Sequence, residues 1–293
     1  MKRRSAVYGI AAALIAASWL GNFAYNRHYR LPEGRFLTHR IEATDAPYLA
    51  FDLYYAANKD DKRRIASIRA EGLPSLTFAP AEAYRELNRQ TIYRLYGQYT
   101  SAPERTAPLP PLVVHEVDVT FGDGKTKRMD VGEIIVYRDD YPPPPEGGPV
   151  AMTSSGGSND NSGFGSVRAV RPATLTSTSS VWLGELGGAF TYEVYVTGGP
   201  SGYGADGHFD GPSQERAAYP AQLAEGNGVA TEYRFRFAPG DPHALNVYNV
   251  LLTHGFAEPD GRESPFRLHA RYAPWFSEAQ MKAFVRAERR EDG

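Results

Sequence analysis

The chain has 293 residues, 42% of them hydrophobic, which suits one large or two medium domains with a true core rather than a small stapled scaffold. Its 32 Lys and Arg against 34 Asp and Glu leave a net charge of −2, without the basic footprint of a general nucleic-acid binder. No cysteine is present, which excludes disulfides, thiolate metal sites, cysteine nucleophiles and cysteine-linked lipids.

The N-terminus opens with Lys2, Arg3 and Arg4, followed by Ser5–Asn26, 22 residues without a charge or a histidine. As a helix this run would measure about 33 Å, the thickness of a bilayer core. Tyr8, Trp19 and Tyr25 lie toward its ends, where amphipathic rings prefer the headgroup level. Ala16 and Ser18 offer small residues for signal cleavage, yet the apolar run continues past them through Leu20 and Phe23, which favours a retained anchor. The expectation is a single-pass membrane anchor with the N-terminus inside and the body extracytoplasmic. An exported protein without disulfides fits a bacterial envelope better than a eukaryotic secretory route.

After a polar stalk at residues 31–40, the body reads as mainly β. High Gly and Pro content, with 19 Tyr, favours strands and turns over helices. Tyr48–Ala56 is an expected strand, Asn58–Lys62 a charged turn, and Arg64–Arg69 the strand returning from it. Leu73–Phe78 gives another. Ala81–Gln98 divides between helix formers and a β-branched, aromatic end, and is read as a helical turn or two and then a strand. In Leu112–Phe121, Val113, His115, Val117 and Val119 alternate as an apolar row. Asp123-Gly124 then signals a hairpin with the partner strand Lys127–Tyr137. The proline run from Tyr141 to Pro149 and the Ser/Gly run Thr153–Ser166 read as a linker and a mobile loop, dividing a β-rich domain (41–140) from a second (167–274). The second holds Val167–Val170, Ala173–Thr178, Val181–Leu186, Phe190–Val196, Val229–Phe237, Leu245–His254 and Phe266–Tyr272. Such spacing points to immunoglobulin-like antiparallel sandwich domains. Ser277 and Gln280 form a capping box that opens a short helix within the tail 275–293, with Met281, Phe284 and Val285 as its apolar contacts.

The stretch from Thr120 to Tyr137, with Val247–Phe256 and the N-terminal anchor, resembles a group of single-pass or exported envelope proteins of Gram-positive bacilli, whose function is not known. The resemblance spans most of the body and implies an envelope setting and a β-sandwich. It carries over no catalytic residue.

Candidate chemistry is sparse. Asp206, His208 and Asp210 form the most site-like piece, able in an extended loop to offer oxygen ligands to Ca²⁺, although EF-hand spacing is absent and Asp-Gly pairs are ordinary turn formers. Ser201 stands outside a G-x-S-x-G elbow. His115 reads as a buried structural histidine, His254 as an exposed strand end and His243 as a turn residue. Glu258 and Asp260 near His254 form only a nominal acid/base set. Tyr192, Tyr195, Tyr233, Phe235 and Phe237 read as core rather than a carbohydrate platform, and the arginines of 262–271 and 286–290 as solvated charge or contacts to an anionic surface. No catalytic residue and no cofactor are assigned. The expected role is a non-catalytic binding module at the cell envelope, with a protein or a cell-wall polymer as ligand and the bilayer as partner through residues 5–26. An envelope hydrolase with an unlocated acid/base pair, or a structural accessory of a membrane complex, are the alternatives.

Overall fold

The computed structural model describes residues 2–46, 50–98, 104–105, 107–139, 147–198, 202–203, 209–210 and 215–291. Helix α1 (Lys2–His28) leads into β1 (Arg35–Phe36), β2 (His39–Thr44), β3 (Ala50–Asn58), β4 (Ile65–Ala70), β5 (Thr77–Phe78), β6 (Glu82–Glu86), β7 (Gln90–Gln98), β8 (Leu109–Phe121) and β9 (Thr126–Arg138). Then come β10 (Val150–Gly157), β11 (Ser162–Ala169), β12 (Ala173–Ser179), α2 (Leu183–Leu186) and β13 (Phe190–Thr197). The short strands β14 (Gly202–Tyr203), β15 (Phe209–Asp210), β16 (Glu215–Arg216) and β17 (Ala221–Leu223) follow. The chain ends with β18 (Gly228–Phe235), β19 (Val247–Ala257), β20 (Glu263–Tyr272) and α3 (Glu278–Glu291).

The architecture is mainly β, with a short C-terminal helix. An eight-stranded sheet, β17-β12-β19-β2-β9-β8-β4 with β20 also on β19, draws strands from both sides of residues 141–166. Alternation along β9 shows what its two faces bury: Ile134 and Val136 join one core with Leu53, Tyr55 and Leu95 of the β1-β3-β7 sheet. Ile135 points the other way, to Tyr233, Phe235 and Leu252 under the β10-β11-β18-β13-β16 sheet. Helix α3 packs Met281, Phe284 and Val285 against Tyr54, Ala56 and Ile92, the far face of the first five-stranded sheet. Its predicted cap forms: Ser277 N donates to Gln280 Oε1 (2.9 Å) and Gln280 N to Ser277 Oγ (3.2 Å).

Most strand pairs are antiparallel, but β2 runs parallel to both β9 and β19. It covers only Val247–Asn249 of β19, and β12 takes over from Thr253. Between them the buried Glu42 side chain stands in for a strand, accepting from Leu251 N (3.0 Å), Tyr137 Oη (2.7 Å) and the Ser180 hydroxyl. A buried carboxylate is tolerable when three donors satisfy it.

The 109–138 hairpin forms as expected, turning through Gly124 at φ +79°. Several other expectations fail for identifiable reasons. The segment 81–98 contains no helical turn: β6 and β7 are a hairpin, because Tyr84 is held by Tyr54 (centroids 4.8 Å apart) and long-range packing outweighs local helix preference. The Ser/Gly run is no mobile loop but the β10–β11 hairpin. Its glycines let large side chains lie across it; a Cβ on Gly163 would stand 2.3 Å from Tyr233 Oη. Strand β4 does not return beside β3 but pairs with β8, while β3 pairs with β1 and β7. Val181–Leu186 turns into α2 rather than a strand, and a 3-10 turn at Gly187–Ala189 follows. The apolar row of β8 is broken at a bulge between Val114 and Glu116, so Val113 and His115 face solvent while Val114 is buried. His254 lies inside β19, not exposed at its end, and is 2% accessible. Among the described residues, no helix is long and apolar enough to cross a membrane.

Candidate functional site

A cavity of about 670 Å³ lies where the three main sheets converge. Strand β3 supplies Asp52 and Tyr54 from its α3-side face, β6 supplies Tyr84, β20 supplies Arg271 and Tyr272, and Trp275 follows before α3. Tyr54 and Tyr84 meet edge to face, and Tyr84 meets Trp275 the same way at 5.4 Å. The Arg85 guanidinium sits 4.5 Å from the Trp275 ring and steadies it, while Trp275 remains 60% exposed.

Asp52 is the polar centre. Its Oδ1 is buried and accepts no hydrogen bond from any described residue, with Arg94 Nε 3.9 Å away. Burial pushes the Asp52 carboxyl above the usual range, and the opposing pull of Arg94 and Arg271 does not cancel it. A desolvated acceptor without a donor costs stability, and a ligand hydroxyl or amide would supply the missing partner.

The tip of the β10–β11 hairpin closes the cavity with Ser158, Asn159 and Asn161. The tip is well fixed: Ser158 N donates to Ser162 O (2.8 Å) and Phe235 N to Asn161 O (2.9 Å). Asn161 takes φ +62°, which asparagine tolerates. Asp160 bonds Ser162 and pairs with Arg234 at 3.1 Å; the Ser162 and Ser158 hydroxyls foremost hold its carboxyl low. Two further depressions meet at this tip. One of about 830 Å³ shares Asn161 and Tyr272 with the central cavity, and one of about 620 Å³ shares Ser158. Arg234 lines both outer ones. Together they make a groove rather than a closed pocket.

No family model matches the chain, and no curated protein does. Three of the solved structures that match show distant likeness. A protein of unknown function from Porphyromonas gingivalis W83 is 13% identical, with 82% of this chain and 99% of that one covered at TM-score 0.24. The alpha-L-rhamnosidase of Dictyoglumus thermophilum is 7% identical, covering 82% and 29% at TM-score 0.21. The major pilin subunit of Bacillus cereus is 8% identical, covering 85% and 67% at TM-score 0.18.

Of the residues singled out from sequence, Asp206, His208 and Ser201 lie outside the described residues, and Asp210 sits in β15 opposite Gly202. Among the described residues no group of three His, Asp or Glu is arranged for a metal ion. His254 contacts the Thr178 (2.7 Å) and Thr231 (3.1 Å) hydroxyls, while Glu258 is held by Arg171 and Arg262, so the nominal triple does not assemble. Tyr233 and Phe235 are core residues, as expected. Asp52, Tyr84 and Trp275 escaped sequence reasoning. The one signal was a carboxylate inside the otherwise apolar run from Phe51 to Ala57.

Proposed function

We propose that the protein is a non-catalytic binding module of the bacterial cell envelope, held at lipid through α1, which takes a segment of a saccharide polymer into the groove. The observation that carries this reading is the central cavity, where the Asp52 carboxylate, its buried Oδ1 without a hydrogen-bond donor among the described residues, stands among Tyr54, Tyr84 and Trp275. Sugar rings present apolar C–H faces to aromatic rings and hydroxyl edges to planar polar groups, and Asp52, Asn159 and Arg271 provide the latter. The linked depressions favour a polymer over a compact ligand. Glycoside hydrolysis commonly needs a pair of carboxylates, and in the central cavity Asp52 stands alone, while the other lining acids, among them Asp160 and Glu232, fall in the flanking depressions. Binding without turnover is therefore the better reading.

Titration calorimetry of the full chain with soluble cell-wall saccharide fragments tests it. Asp52→Asn is expected to weaken binding about tenfold, the weight of one hydrogen bond to a charged group, and Trp275→Ala by a similar factor. Equal affinity in wild type and both variants would place the ligand elsewhere, and release of shortened saccharide would make the protein an enzyme.

A further inference from the structure

The foot of α1 is built differently from the rest of the surface. Residues 13–25 are exposed, with Leu14 66%, Trp19 76% and Phe23 66% accessible, so this part of the helix is largely open to its surroundings. A helical stretch without charge that leaves large apolar side chains open requires cover. Where it meets the body, cations surround it. Arg27 lies in the last turn of the helix, and Arg289 of α3 donates to its carbonyl oxygen. Arg286 donates to Tyr29 Oη and lies 5.1 Å over the same ring, with Lys282 at 5.4 Å. Arg89, from the β6–β7 turn, stacks on Tyr25 at 5.1 Å. Arg290 adds an exposed charge. Three segments far apart in sequence thus bring positive charge to one ring, and the rings of Tyr25 and Tyr29 fix several of its members. Three acids of this region have partners of their own: Asp60 with Arg30, Glu288 with Arg35, and Glu278 with the Asn88 amide.

We infer that this basic ring is a seat for anionic phospholipid headgroups, with α1 in the lipid and α3 resting on the surface. The inference rests on the lipid contact proposed for α1 and adds a headgroup preference that an apolar helix alone would not have. Charge complementarity selects the occupant, since cations at a membrane surface attract anionic lipid and are screened by salt.

The test is co-flotation of the full chain with phosphatidylcholine vesicles, with and without about a third phosphatidylglycerol. Tighter binding to the anionic vesicles, weakened by salt, is expected. The triple variant R286Q/R289Q/R290Q should lose about a hundredfold of that affinity while keeping its binding to neutral vesicles. Because Arg286 and Arg289 also hold the foot of α1, R290E serves as a second variant and should lower anionic binding alone. Equal binding to both vesicle types would overturn the ring and leave the lipid contact of α1 standing. Absence from both floating fractions would overturn that contact, and the ring with it.

Discussion

His39 and His254 are neutral ligands to the protein's own interior. His39 Nε2 accepts the Tyr54 amide at 2.9 Å, which places the proton on Nδ1, donated to Val131 O at 2.9 Å. It thereby joins β2 to β3 across two sheets. Burial pushes both histidines down to about 4, because a charged ring would have to leave water. Below the ordinary value of 6.5 the unfolded chain takes up protons that the folded one refuses. Their stability is therefore complete above about pH 6.5 and is lost as pH falls toward about 4, to the extent of about 3 kcal/mol each. Urea midpoints should fall steadily across that window, and midpoints flat from neutrality to about pH 4.5 would contradict the assignment. A histidine's burial was not legible in sequence. Alternation places His115 inside and a strand end places His254 outside, but a bulge re-phases the first strand and β19 runs on past the second.

Among the elements, those read correctly carry their own local cause. The 109–138 hairpin has a turn signal, and α3 has a reciprocal cap. Within the hairpin, Asp130 Oδ1 accepts the Gly132 amide (2.8 Å), and Gly132 at φ +90° lies against β2. A Cβ there would stand 2.4 Å from His39 O. Gly132→Ala meets both a disfavoured φ and a backbone collision, and should destabilise by about 3 kcal/mol in chemical denaturation. A loss below about 1 kcal/mol would show that β2 can move aside. The misread elements have their cause far away in the chain. Nothing between Ala81 and Leu87 announces Trp275, and nothing in the Ser/Gly run announces Tyr233, so β6 and the β10–β11 hairpin were hidden. The groove was hidden for the same reason, being assembled from segments far apart in the chain.

For the whole molecule, the decisive feature is that one sheet contains strands from both sides of residues 141–166. The sequence gives each side turn signals and alternation, which reads naturally as two units. Pairing partners, however, are not written locally, and β2 finds both of its partners at long range. A fragment ending near Arg138 would expose the β2 edge, Glu42 and one face of β9. Expressed separately, fragments 1–139 and 147–293 are expected to show no cooperative thermal transition, and mixing them should restore one. Two independent sharp transitions would instead establish two autonomous domains.

The handover at β19 also sets a timetable. Leu251 follows Glu42 by 209 positions, yet its amide needs that carboxylate. At roughly 5–20 residues per second of synthesis, β2 waits on the order of ten seconds or more for the strand that completes its pairing. During that interval an apolar edge and an uncompensated acid are both open to water and to other chains. Long-range pairing of this kind folds slowly and exposes intermediates to aggregation. A chain of this design gains from being kept unfolded until its last strands are available, whether by a chaperone or by passage through a narrow channel.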